Sequence, residues 1–150
     1  MKKEERDQVI DLKLGELGEK RLKLQTELAY TPEYSTNMKI QLPGRTELTI
    51  LRTVKDEKKL ILLLGELLSI KNKWELGYKE CYPKATEIED FEICGFSIMS
   101  WISDVKNLIR RLQMEDEIKK LDKAIQDLPK FYTSDKRDEI EFKKLLDSLN

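Results

Sequence analysis

Leu60-Ile61-Leu62-Leu63-Leu64-Gly65-Glu66-Leu67-Leu68-Ser69-Ile70 is the most apolar stretch of the chain and the one that decides its fold class. From Leu60 to Leu64 every residue is apolar, so a helix through this run is expected to be covered on all sides. Gly65 and Glu66 interrupt the run, and it falls far short of the roughly 20 apolar residues of a membrane span. Carried outward, Leu60, Leu64, Leu67, Trp74, Tyr78 and Cys81 form one seam at steps of three and four, with Lys71 interrupting it. Ile50, Val54, Ile61 and Leu68 form another. Thr46 reads as an N-cap, Glu47 suits the first turn, and Pro83 ends the pattern. The spacing therefore predicts one helix from Thr46 to about Tyr82, roughly 50 Å long at 1.5 Å per residue.

On the N-terminal side, residues 3 to 29 read as a first helix. Ile10, Leu14, Leu17, Leu24 and Leu28 follow a heptad seam in which Arg21 fills the missing position. Tyr30-Thr31-Pro32 stops it. Met38-Lys39-Ile40-Gln41-Leu42 then alternates apolar and polar before the Pro43-Gly44 turn, which predicts a short β-arm near residues 38–46 that pairs with its own flank or with a symmetry mate. On the C-terminal side, Pro83 to Ser97 is an acidic linker (Glu87, Glu89, Asp90, Glu92) whose Ile88, Phe91 and Ile93 should pack down. A third helix covers Ile98 to Leu128. Its seam of Ile98, Ile102, Val105, Ile109 and Leu112 resumes after a phase shift as Met114, Ile118, Leu121, Ile125 and Leu128. Pro129 ends it, and Ser134 or Asp135 caps a short C-terminal helix with Ile140, Phe142, Leu145, Leu146 and Leu149 as its apolar face. The fold class is all-α: a long helical hairpin or three-helix coiled-coil-like bundle with a short β-arm.

Composition agrees. At 150 residues the chain fits a single helical domain, residues 1–150. Charged residues are 38% and hydrophobic residues 39% of it, a mixture that belongs to long amphipathic helices. The 28 basic and 29 acidic residues are interleaved and leave a net charge of −1, which argues against duplex DNA and against a membrane surface as partner. The charged opening Met1-Lys2-Lys3-Glu4-Glu5-Arg6-Asp7 carries no apolar signal, and Cys81 and Cys94 are too few for a disulfide scaffold, so a reduced cytoplasm is the expected setting.

Motifs of chemistry are scarce. The chain has no histidine, which removes the commonest general base and metal ligand. Two isolated cysteines do not make a zinc site, and no Gly-rich phosphate loop occurs, so neither metal nor cofactor nor catalytic residue is assigned. Carboxylates sit among lysines at helical spacing, the pattern of a solvated face. One cluster stands out. Between Lys39 and Lys59 six basic residues face three acidic ones. Arg45 and Thr46 fall at the predicted helix start, where free N–H groups and the dipole favour an anion. Lys39, Arg45, Thr46, Arg52 and Lys55 are therefore the candidate ligand-binding residues, for an anionic, nucleotide-like molecule held in an oligomer. The competing reading pairs these cations with Glu87 to Glu92. Leu60, Leu64, Leu67, Trp74 and Trp101 are candidate core or interface residues; base stacking by the tryptophans is the alternative.

Pro43-Gly44-Arg45-Thr46-Glu47-Leu48-Thr49-Ile50-Leu51-Arg52, between two long helices, resembles the turn of the small septicolysin-like bacterial proteins. Leu121-Asp122-Lys123-Ala124-Ile125-Gln126 resembles their late Leu-Asp-x-x-Ile-Gln stretch. Order and spacing agree over most of the chain. It departs from the pattern after Gln126, where Pro129 and a further helix replace the aromatic residue of the family. The resemblance implies a helical oligomer of unsettled biochemical role. The function expected is non-enzymatic: a self-assembling binding protein, acting as adaptor, inhibitor or sequestering protein in the manner of small phage and mobile-element proteins. Its partners are itself and either an anionic small molecule or another protein. The alternative is a structural coiled-coil assembly protein without a ligand.

Overall fold

The computed structural model describes residues 2–30, 33–76, 87–132 and 139–149. Among them the chain is mostly helical, with four α-helices and two short antiparallel two-stranded sheets. The chain gathers into two compact units: Met1–Tyr30 with Met114–Asn150, and Thr31–Gln113.

The first unit is built on α1, Lys3–Ala29, which the heptad seam delimits to the residue. Ile10, Leu17 and Leu24 are buried, while Leu14 and Leu28 are half-buried. Arg21 occupies the polar position of the seam because its guanidinium Nε donates to Asp122. Asp122 lies on α3, Ile98–Asp127, whose second half supplies Met114, Leu121 and Ala124 to this core. A 3₁₀ turn, Leu128–Phe131, carries Pro129 in its first residues and closes α3. The last helix, α4, is Glu139–Ser148. Phe142 of α4 is fully buried with its ring 5.3 Å from that of Phe131. Ile140 is exposed rather than part of the apolar face, since Phe142, Leu145, Leu146 and Leu149 already fill the inward side. The proposed caps Ser134 and Asp135 lie outside the described residues.

The second unit begins with the arm. β1, Lys39–Ile40, pairs antiparallel with β2, Thr49–Ile50, in the register Lys39↔Ile50 and Ile40↔Thr49. Leu42-Pro43-Gly44-Arg45 is a turn in which the Arg45 N–H donates to the Leu42 carbonyl at 3.1 Å. Gly44 has φ +77°, the left-handed value that the third residue of a Pro-Gly type II turn requires. The arm thus pairs with its own flank. This corrects the helix predicted from Thr46: Thr49 and Ile50 are in a strand and Leu51–Thr53 is a 3₁₀ turn. The helix α2 runs from Glu57 to Glu75, and its N-cap is Asp56, whose carboxylate accepts from the Lys58 N–H at 3.0 Å. β-branched residues paired across the arm win over local helix propensity there, and α2 is correspondingly shorter, about 28 Å. Tyr78, Cys81, Tyr82 and Pro83 lie outside the described residues.

The acidic linker packs down as expected, with Phe91 and Ile93 buried. It also forms a second hairpin, β3 Glu92–Ile93 with β4 Phe96–Ser97. Its two-residue loop has Cys94 at φ 54° and Gly95 at φ 84°, both left-handed as a type I′ turn demands. Leu60, Leu67 and Trp74 of α2 and Ile98, Trp101, Ile102 and Val105 of α3 complete the core. Trp101 donates its indole N–H to the Ile93 carbonyl at 2.6 Å and meets Phe96 edge-on. Asp104, fully buried on α3, accepts from the Ser35 and Thr36 backbone N–H groups, both at 2.9 Å, and from the Thr36 hydroxyl at 2.6 Å. No helix among the described residues is long and apolar enough to cross a membrane.

Removing the Asp104 carboxylate strands the Thr36 N–H and hydroxyl in the interior. Asp104→Ala is expected to cost about 3 kcal/mol, as for a buried charged hydrogen-bonding group, and Asp104→Asn less, measured by urea denaturation. In the first unit, the Tyr132 hydroxyl donates to Asp11. That bond first, then desolvation and the Asp11 and Asp7 charges, raises the Tyr132 pKa above its usual 10. The folded state therefore holds the phenolic proton more tightly than the unfolded chain. The resulting stabilisation is complete below the unfolded pKa and is lost as pH rises through the raised value. Tyr132→Phe is expected to flatten the alkaline limb of a stability–pH curve; an unchanged limb would show that other groups set it.

Candidate functional site: the cleft between arm and helix

In the second unit the arm and the start of α2 enclose an open cleft of about 610 Å³. Its floor is apolar: Ile40, Leu42, Val54, Leu60 and Leu63 are buried or half-buried. Leu48, Ile50 and Leu62 line it as exposed side chains. The type II turn at Pro43-Gly44 folds the 45–48 segment back beside α2, and the strand pairing fixes which arm residues face the helix.

The candidate ligand residues are only partly brought together. Arg45 and Lys55 line the cleft, and Lys59 joins them. Lys39 sits on β1 opposite Ile50, outside the lining. Thr46 is exposed, does not line the cleft and caps no helix. Arg52 lies over the Tyr34 ring, 5.7 Å from its centroid, in a cation–π contact. Arg45 donates through Nη2 to Glu66 Oε1 at 3.0 Å, so its partner is an acid of α2 and not the Glu87–Glu92 linker. Glu47, Asp56 and Glu66 line the same cleft as the cations Arg45, Lys55 and Lys59. The charges therefore cancel formally. The helix N-terminus nearest the cations is that of α2, and the Asp56 carboxylate already holds it. The physical basis for an anion at Arg45-Thr46, a free helix start, is absent there.

Of the candidate core residues, Leu60, Leu67, Trp74 and Trp101 are buried, and Leu64 is half-buried. Both tryptophans are engaged inside the core, Trp74 edge-on to Phe91 at 6.1 Å. The seam of Ile61 and Leu68 read from the sequence faces outward. Ile61 is 50%, Leu62 69% and Leu68 41% exposed, against the expectation that Leu60 to Leu64 is covered all round. Periodicity shows that a stretch is apolar on every side; it does not show that the same chain covers every side. Among the described residues no group of His, Cys, Asp and Glu could hold a metal ion. No family model, curated protein or solved structure matches the chain.

The Arg45–Glu66 bridge joins two exposed side chains, so Arg45→Ala is expected to change stability by less than about 1 kcal/mol. A loss several times larger in thermal or urea unfolding would make Arg45 a structural keystone of the arm.

Proposed function

We propose that the protein is a non-enzymatic, self-assembling binding protein of the reduced cytoplasm, working as an adaptor, inhibitor or sequestering protein. One observation carries this reading: exposed apolar side chains on two sides of α2, Leu62 with Leu48 and Ile50 of the arm at the open cleft, and Ile61 with Leu68 outside its lining. Exposed apolar side chains gathered in this way mark interaction sites. The lack of histidine supports the non-enzymatic part. Membership of the septicolysin-like family belongs to the same proposal and rests on motif order. A coiled-coil assembly protein without a ligand is the alternative. A nucleotide-like anion is the second reading, favoured by Arg45, Lys55 and Lys59 in the cleft and opposed by its three acids.

Light scattering coupled to size exclusion is expected to give a dimer or larger species at tens of micromolar. A clean monomer at that concentration removes self-assembly. Titration calorimetry with a panel of nucleotides and cyclic nucleotides separates the ligand readings. Binding that is lost in Arg45→Ala with assembly intact supports the anion; no heat across the panel leaves protein partners.

A further inference from the structure

Self-assembly, if it operates as proposed above, has a definite address on α2. The buried side of this helix carries Leu60, Leu67 and Trp74, seven residues apart. The opposite side presents Lys58, Ile61, Gly65, Leu68, Asn72 and Glu75, all exposed and spaced alternately three and four residues apart. That is a stripe at heptad spacing along the helix, with Ile61 and Leu68 as its apolar residues and charges at its two ends, facing away from the chain's own core.

We infer that this outward seam pairs with the same seam of a second copy, antiparallel, about a two-fold axis passing between Glu66 and Leu67. The seam's own residues select this arrangement. In an antiparallel register that sets Gly65 level with the second copy's Leu68, Ile61 falls level with Asn72 and Lys58 with Glu75. Two-fold symmetry then repeats each match. A large side chain meets the smallest one at the centre, so the backbones approach there. Beyond the backbone of its own helix and its chain neighbours, nothing lies within 4 Å of where a Cβ on Gly65 would stand, so the space above it is open to the knob from the second copy. Opposite charges meet at both ends. Among the described residues the Lys58 side chain makes no ion pair, whereas Glu75 touches Lys71 through one oxygen at 3.2 Å and keeps the other. A parallel pairing puts Lys58 on Lys58, Glu75 on Glu75 and Gly65 on Gly65, with repulsion at the ends and a void in the middle.

The test uses the full chain and measures the dimer dissociation constant by light scattering or sedimentation. Lys58→Glu and Glu75→Lys should each weaken dimerisation roughly tenfold, since each puts like charges at both ends. The double variant K58E/E75K should restore it to within a few-fold of the parent. Gly65→Leu supplies an independent arm. It removes a helix-weakening glycine from an open position, so thermal stability of the diluted monomer should hold or rise. Dimerisation should nevertheless fall, because two leucines then compete for the space of one. A parent dimer that both single charge reversals and Gly65→Leu leave unchanged overturns the inference while self-assembly stands through another surface. Weakening by the single reversals without recovery in the double overturns the register. A parent chain monomeric at about 100 µM overturns the self-assembly reading itself and leaves the stripe to a partner of different sequence.

Discussion

The second unit is organised around one buried carboxylate. Asp104 sits on α3 in a fully buried position and accepts two backbone N–H groups and a hydroxyl from Ser35 and Thr36. A buried carboxylate without such donors would be untenable, so the loop at 35–36 and α3 are obliged to meet. From that pin the rest follows along the chain. The Thr36 hydroxyl accepts from the Met38 N–H at 3.1 Å, and Met38 is held buried at φ 63°. The Met38 carbonyl accepts from the Leu51 N–H at 2.8 Å, beside the β1–β2 pairing. That pairing takes Thr49 and Ile50 out of the helix and leaves Asp56 to start α2. The cleft and the outward seam of α2 are therefore downstream of a contact that involves none of the residues that line them.

How much of this was legible varies with the range of the interaction that decides each element. α1 and the start of α3 are set by local periodicity and by nearby stop signals, and they fall where the heptads put them. The start of α2 is decided by Lys39 meeting Ile50 across the arm, a tertiary contact that competes with Thr46 as a plausible cap and wins. The Cys94-Gly95 turn escaped notice because cysteine is an uncommon occupant of a left-handed turn position, although Phe91, Ile93 and Phe96 flank it with strand-like spacing. At the candidate site, clustering of basic residues was visible, but their neutralisation was not. Arg45 finds Glu66 across the cleft, and no spacing rule links an arm residue to an acid one turn past the middle of an apolar run.

The phase shift in the third helix has a structural meaning that periodicity alone did not supply. The seam ending at Leu112 serves the core of the second unit, and the seam resuming at Met114 serves that of the first. The boundary between the compact units falls between Gln113 and Met114, on the break in the pattern. One uninterrupted helix thus carries two apolar codes in series, each addressed to a different set of partners.

The first unit is discontinuous: α1 belongs with residues that follow position 113. During synthesis α1 leaves the ribosome well before Met114, Leu121, Leu128 and Phe142, which share its core. At about 5–20 residues per second the seam of Ile10, Leu17 and Leu24 waits for several seconds without its native cover. The second unit, contiguous from Thr31 to Gln113, has all of its core available before that wait is over. The order of completion is therefore inside out: the contiguous second unit can close while α1 still presents an uncovered apolar stripe.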